Sequence, residues 1–127
     1  METIQERLIN WGKWASNATG TGYRGQLAQY KNDFNLDGDS IEDALLIDRA
    51  VASTAQVDSN YPYILYQYFA NKKSVKTICV DWHGAYKAAT RAGWSGGPPP
   101  GETKLRQIID IAAHGCVFYL QGLQDAA

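Results

Sequence analysis

The sequence predicts an all-α fold, a small domain of about five to six helices. Three observations lead there. Apolar residues recur at three- and four-residue steps through most of the chain. Helix-opening patterns, Thr3-Ile-Gln-Glu6, Ser40-Ile-Glu-Asp43 and Ser74, stand before those stretches. No pair of alternating β-branched runs is present that would demand a sheet.

The elements follow in order. Thr3 to Glu6 reads as a capping box, in which the hydroxyl takes an orphan N–H and the carboxylate reaches back. It opens a helix over about residues 4–16 with Ile4, Leu8, Trp11 and Ala15 on one side. Residues 17–39 are rich in Gly, Asn and Asp and predict an irregular segment, longer than a normal loop, with a turn of helix around Gly25–Lys31. From Ser40 a second helix carries Ile41, Leu45, Ile47, Val51 and Ala55. Asp58 or Ser59 caps a third, which tolerates Pro62 in its first turn and buries Ile64, Leu65, Tyr68 and Phe69. Ser74 caps a short fourth helix with Val75, Ile78 and Cys79, and residues 84–92 favour another short one stopped by Gly93. Ser95-Gly-Gly-Pro-Pro-Pro-Gly101 breaks the helical pattern. The cleanest period follows, with Leu105, Ile108, Ile109, Ala112, Cys116, Val117 and Leu120 marking a helix over about 103–122.

At 127 residues, 45% hydrophobic and 20% charged, the chain suits one domain with a real core and no need of a disulfide or metal staple. No apolar run approaches the roughly 18 residues of a membrane span. The first sixteen residues carry Glu2 and Glu6 and no positive region before an apolar stretch, so no secretory signal is expected. The expected location is the cytoplasm. Cys79 and Cys116 are far apart, form no CxxC motif, and are expected as small buried hydrophobes.

The net charge of −1 hides an asymmetry. Residues 1–71 form an acidic part with nine acids against five bases, net −4. Residues 72–106 hold Lys72, Lys73, Lys76, Lys87, Arg91, Lys104 and Arg106 against Asp81 and Glu102, net +5. Such a block is either a solvated helical surface or the footprint of a polyanion.

Other constellations carry less. Asp33-x-Asn35-x-Asp37-Gly38-Asp39 matches the first half of a calcium loop, but position 12, where a bidentate carboxylate belongs, is Ala44. An acidic turn before a helix is expected instead. Cys79-x-x-x-His83 and His114-x-Cys116 offer zinc-type ligands, yet the second pair points roughly 200° apart on a helix. No metal or other cofactor is expected. With two histidines, no P-loop and no GxGxxG, nothing specific supports an enzyme. The aromatics, Trp11, Trp14, Tyr61, Tyr63, Tyr66 and Tyr68 among them, are expected to anchor packing.

One combination rises above composition. Asn10-Trp11-Gly12-Lys13-Trp14-Ala15 resembles the W-G-x-W-A opening of phage antitermination proteins of the Q type, the lambdoid late-gene antiterminators. Asp43-Ala-Leu-Leu-Ile-Asp48-Arg-Ala-Val51 resembles their D-x-A-x-x-(I/V)-D-x-A-(V/M) helix, and Leu65-x-x-Tyr68-Phe69 falls where they carry an L-x-x-Y helix. Order and spacing agree over about residues 8–70.

The resemblance implies a C-terminal helix-turn-helix like that of sigma-factor region 4. It implies a transcription factor that binds double-stranded DNA near a phage late promoter. The factor loads onto host RNA polymerase, whose sigma factor is a possible contact, and carries it through terminators. Carried over, Ser74–Val80 is the first helix of the motif and Lys104–Leu120 the recognition helix. An insertion over 81–101 replaces the usual turn of three or four residues.

Lys104, Arg106 and Gln107 would then reach base edges, and Lys72, Lys73, Lys76, Lys87 and Arg91 would hold phosphates. The acidic first half would face polymerase. The alternative is a phage inhibitor or host-takeover factor that binds protein, with a degenerate motif and no DNA site.

The calcium reading yields a direct expectation. Millimolar calcium leaves the thermal midpoint unchanged, because Ala44 cannot chelate. A rise of several degrees would mark a ligand of the native state and overturn it.

Overall fold

The computed structural model describes residues 3–18 and 38–126, with side chains from 3–16 and 40–126. The irregular segment, its predicted turn of helix and most of the calcium-like motif lie outside the described residues. Five α-helices make the described part: α1 (Ile4–Ala18), α2 (Gly38–Ser53), α3 (Tyr61–Leu65), α4 (Val75–Arg91) and α5 (Glu102–Ala126). A 3₁₀ turn, Thr54–Gln56, follows α2, and a π-turn, Tyr66–Ala70, extends α3. No strand occurs among the described residues, which are all-α. No described helix is long and apolar enough to cross a membrane.

The capping box at the start of α1 forms. Glu6 N–H donates to Thr3 Oγ1 at 3.1 Å, and the carboxylate reaches back to the hydroxyl rather than to the backbone. α1 lies on α2 through three polar ties. Arg7 donates from Nη2 and Nε to Asp43 Oδ1 at 2.6 and 3.1 Å. Asn10 Nδ2 donates to the Ser40 carbonyl at 3.0 Å. Trp11 Nε1 donates to Asp48 Oδ1 at 3.1 Å. These groups rim an apolar seam of Leu8, Trp11, Trp14 and Ala15 against Ala44, Ile47, Ala50 and Val51, closed by Cys116 of α5.

Gly12 explains the glycine between the two tryptophans. A Cβ there would lie against the Phe69 carbonyl oxygen, 2.6 Å from its carbon and 3.0 Å from Ala70 N. α1 therefore crosses the π-turn backbone to backbone, and only glycine permits that approach. On the other side of Phe69 lies a second core. There Ile64, Val75, Ile78, Cys79, Leu105 and Ile109 join α3, α4 and α5, and Phe69 packs against both clusters.

The structure corrects several expectations. The two short helices over 74–80 and 84–92 are one helix, α4. Trp82, Tyr86 and Ala89 continue the apolar face of Val75, Ile78 and Cys79, and one glycine, Gly84, costs a helix only about 1 kcal/mol. Tyr68 and Tyr63 do not pack inward; they are 37% and 50% exposed. The π-turn adds a residue, shown by Asn71 N–H donating to the Tyr66 carbonyl, so Ala70 rather than Tyr68 reaches the core. On α2, Ala44 and Ala50 are buried where Leu45 is half-buried, and Ala55 falls in the 3₁₀ turn after the helix and is exposed.

Two glycine substitutions separate close approach from helix propensity. Gly12→Ala is expected to destabilise by about 1–3 kcal/mol or more through overpacking on Phe69. Gly84→Ala, with nothing within 4 Å of its Cβ, is expected to stabilise by about 0.5–1 kcal/mol. Trp11→Ala, removing a ring 2% exposed, is expected to lose about 3–5 kcal/mol. Urea unfolding of the three variants checks this, and an unchanged midpoint for Gly12→Ala would refute the crossing.

Candidate nucleic-acid interface

The basic block lies on α4, the turn before it and the first turns of α5. Ser74 caps α4, its hydroxyl accepting from Thr77 N–H at 3.1 Å. Val75, Ile78 and Cys79 face the core, so the helix must turn its opposite side outward. On that side Lys76, Val80, Gly84, Lys87 and Arg91 follow at steps of three and four residues, all exposed. Lys76, Lys87 and Arg91 thus share one stripe. It spans about 22 Å at 1.5 Å per residue.

Lys72 precedes α4 with φ 55°, the left-handed region, and is exposed. Lys73 differs from the others: its Nζ donates to Asp81 Oδ2 at 3.0 Å, and part of its charge is answered within the chain. A second ion pair, Arg7–Asp43, joins α1 to α2.

On α5, Lys104, Arg106 and Gln107 are exposed while Leu105 is fully buried. Lys104 and Arg106 point about 160° apart around the helix, with Gln107 between them. Arg106 lies on the α4 side, where its field and that of Glu102 act in opposition on Cys79. The three residues therefore form a ridge with Gln107 at its crest, and the lysine and arginine slope to opposite sides.

The connector from α4 to α5 has a defined course. Gly93, φ 101°, ends α4: Trp94 N–H donates to the Ala89 carbonyl and Gly93 N–H to the Thr90 carbonyl, a Schellman closure. The chain then runs back along α4. The Pro100 carbonyl accepts from Cys79 Sγ at 3.8 Å and stands 3.3 Å from His83 Nε2. The start of α5 is thereby held beside residues 79–83, and the excursion is 84–99 rather than the whole of 81–101.

The cysteines and histidines do not gather. Cys79 and His83 meet at Pro100, while His114 is exposed and Cys116 buried on opposite sides of α5. Among the described residues, no three His, Cys, Asp or Glu side chains stand close enough to hold a metal ion. Burial raises the Cys79 thiol pKa, with Glu102 adding and Arg106 opposing. Burial alone lifts Cys116 to about 11.

Of the acidic first half, Asp43 and Asp48 are engaged by Arg7 and Trp11. They serve the fold and are not free for a partner. An apolar strip opens elsewhere on α5, where Ile111 and Phe118 are 53% and 74% exposed beside Val57.

The stripe on α4 is continuous because the two expected short helices are one, and the apolar spacing of Cys79, Trp82, Tyr86 and Ala89 is the sequence signal that joins them. No family model matches the chain, and no curated protein or solved structure matches it.

The thiol at Cys116 makes stability depend on pH. Its pKa rises on folding from the ordinary 9.0 to about 11, so the folded state holds the proton more tightly. The contribution is full below pH 9 and is lost as pH rises through about 11. Thermal melts of wild type and Cys116→Ala should show a smaller alkaline loss in the variant, and parallel profiles would contradict it.

Proposed function

We propose that the chain is a phage-type transcription antitermination factor of the Q class, which binds double-stranded DNA and host RNA polymerase and has no chemistry of its own. One observation carries the reading. The N-terminal halves of α4 and α5 share an apolar core, and Pro100 brings α5 back to Cys79 and His83. With the excursion set aside, helix, short turn and helix remain, the arrangement of a helix-turn-helix.

The outward residues fit the roles that arrangement requires. Gln107 at the crest of α5, flanked by Lys104 and Arg106, has donors for base edges in a major groove. Lys72, Lys76, Lys87 and Arg91 present cations that phosphates can reach, and Lys73 does so less freely because of Asp81. The segments that resemble the antiterminator family, W-G-K-W-A and the Asp43–Val51 helix, pack on each other and on Ala112, Ala113 and Cys116 of α5. Loading onto polymerase rests on that resemblance alone.

A second reading, a factor that binds protein and not DNA, draws on the exposed apolar strip of Ile111, Phe118 and Val57. Duplex binding separates the two. Arg106→Ala should weaken cognate binding by about 1–3 kcal/mol and bring it toward random-sequence affinity. Lys76→Ala should weaken both duplexes alike and reduce the salt slope by about one unit. Anisotropy titrations at two salt concentrations read both effects. No binding of wild type to either duplex at moderate salt would leave the protein-binding factor as the account.

A further inference from the structure

We infer that residues 84–99 form a rigid arm giving the protein a second, sequence-independent hold on the phosphate backbone of duplex DNA, beside the contact made by α5. The inference rests on the DNA-binding reading above and deepens it: the hold of Lys87 and Arg91 on phosphates is set apart from α5 by the arm that carries them.

The arm is defined by where the chain leaves and returns. α4 passes His83 and continues to Arg91, overshooting the start of α5 by about 12 Å at 1.5 Å per residue. The connector brings the chain back to Pro100, held at Cys79 and His83. A two-helix motif needs only the two ends, so the overshoot is free to do something else.

It is built to be stiff. Gly93 closes the helix with both Schellman bonds. Trp94 folds back and meets Tyr86 edge to face, centroids 6.1 Å apart. A Cβ on Gly96 would fall within the Trp94 ring, so the return strand lies directly on the indole. Trp82, Tyr86, Ala89 and Trp94 line an open apolar groove between the helix and the returning chain.

That packing lies on one face of the helix and leaves the opposite face open. Lys87 and Arg91 stand there, in line with Lys76, and none of the three has an ion-pair partner among the described residues. The stripe's length of about 22 Å matches six to seven base pairs of duplex rise at about 3.4 Å each. Around the two cations at the tip the side chains are small: Gly84, Ala88 and Thr90. Three cations in line along one helical face suit a regular array of phosphates; the exposed side chains of Val80 and Trp94 beside them are what a protein partner would take instead.

The test uses the full chain and a random-sequence duplex long enough for both contacts, titrated across a salt series. The Lys87→Ala/Arg91→Ala double variant keeps every packed residue, and circular dichroism verifies its fold. Arg49→Ala, an exposed arginine on α2, is the control. The slope of log affinity against log salt should fall in magnitude by about 1.8 for the double variant, about 0.9 for each released contact. It should stay unchanged for Arg49→Ala.

If wild type binds and the double variant keeps the full slope, the arm is wrong and the DNA-binding reading stands. If wild type fails to bind any duplex at low salt, the underlying reading fails and takes the arm with it. If the double variant binds duplex normally but no longer retains purified RNA polymerase, the arm contacts protein and the proposal is overturned.

Discussion

The backbone crossing of α1 over the Phe69–Ala70 turn is the contact on which the rest of the structure depends. Gly12 lets the two chains meet without an intervening side chain. Trp11 and Trp14 then reach past the crossing on either side into the seam with α2, and Trp11 Nε1 is fixed by Asp48. The π-turn in turn sets the direction in which Phe69 points, and Phe69 is shared by both cores. A shift at Gly12 therefore propagates through Phe69 to Ile64, Leu105 and Ile109, the floor beneath α4 and α5.

This arrangement changes the meaning of the short motifs. The W-G-K-W-A segment and the Asp43–Val51 helix look like signatures, yet each residue in them that the structure explains does structural work for the other. Asp43 holds Arg7, Asp48 holds Trp11, and Ala44 and Ala50 leave room for the indoles. Their resemblance to the antiterminator family thus concerns a scaffold. The surface with an unanswered charge lies beyond it, on α4 and α5, where the resemblance is weakest.

Much of the fold was legible because helical periodicity is a local signal. The starts at Thr3 and Ser74, the stop at Gly93 and the long last helix all follow from side chains within a few positions of one another, whereas α2 begins at Gly38, two residues before the expected Ser40. What could not be read depends on residues far apart in sequence. Nothing near Tyr66 announces a π-turn, so Tyr68 looked buried when it is not. Nothing near Gly12 announces Phe69. The candidate interface was legible as a charge block and not as a surface. Lys73 is distinguished from Lys76 only by the reach of Asp81, and Lys104 from Arg106 only by the side of α5 that meets α4.

We propose that this small helical scaffold presents a DNA-reading unit that acts on transcribing polymerase. Purified chain added to single-round transcription by host RNA polymerase tests it most directly. The template carries the DNA flanking the gene, a late promoter and a downstream intrinsic terminator. The account predicts increased readthrough that vanishes when the flanking DNA is replaced by random sequence. Readthrough that stays at its basal level on both templates, with the protein folded and in excess, would contradict it.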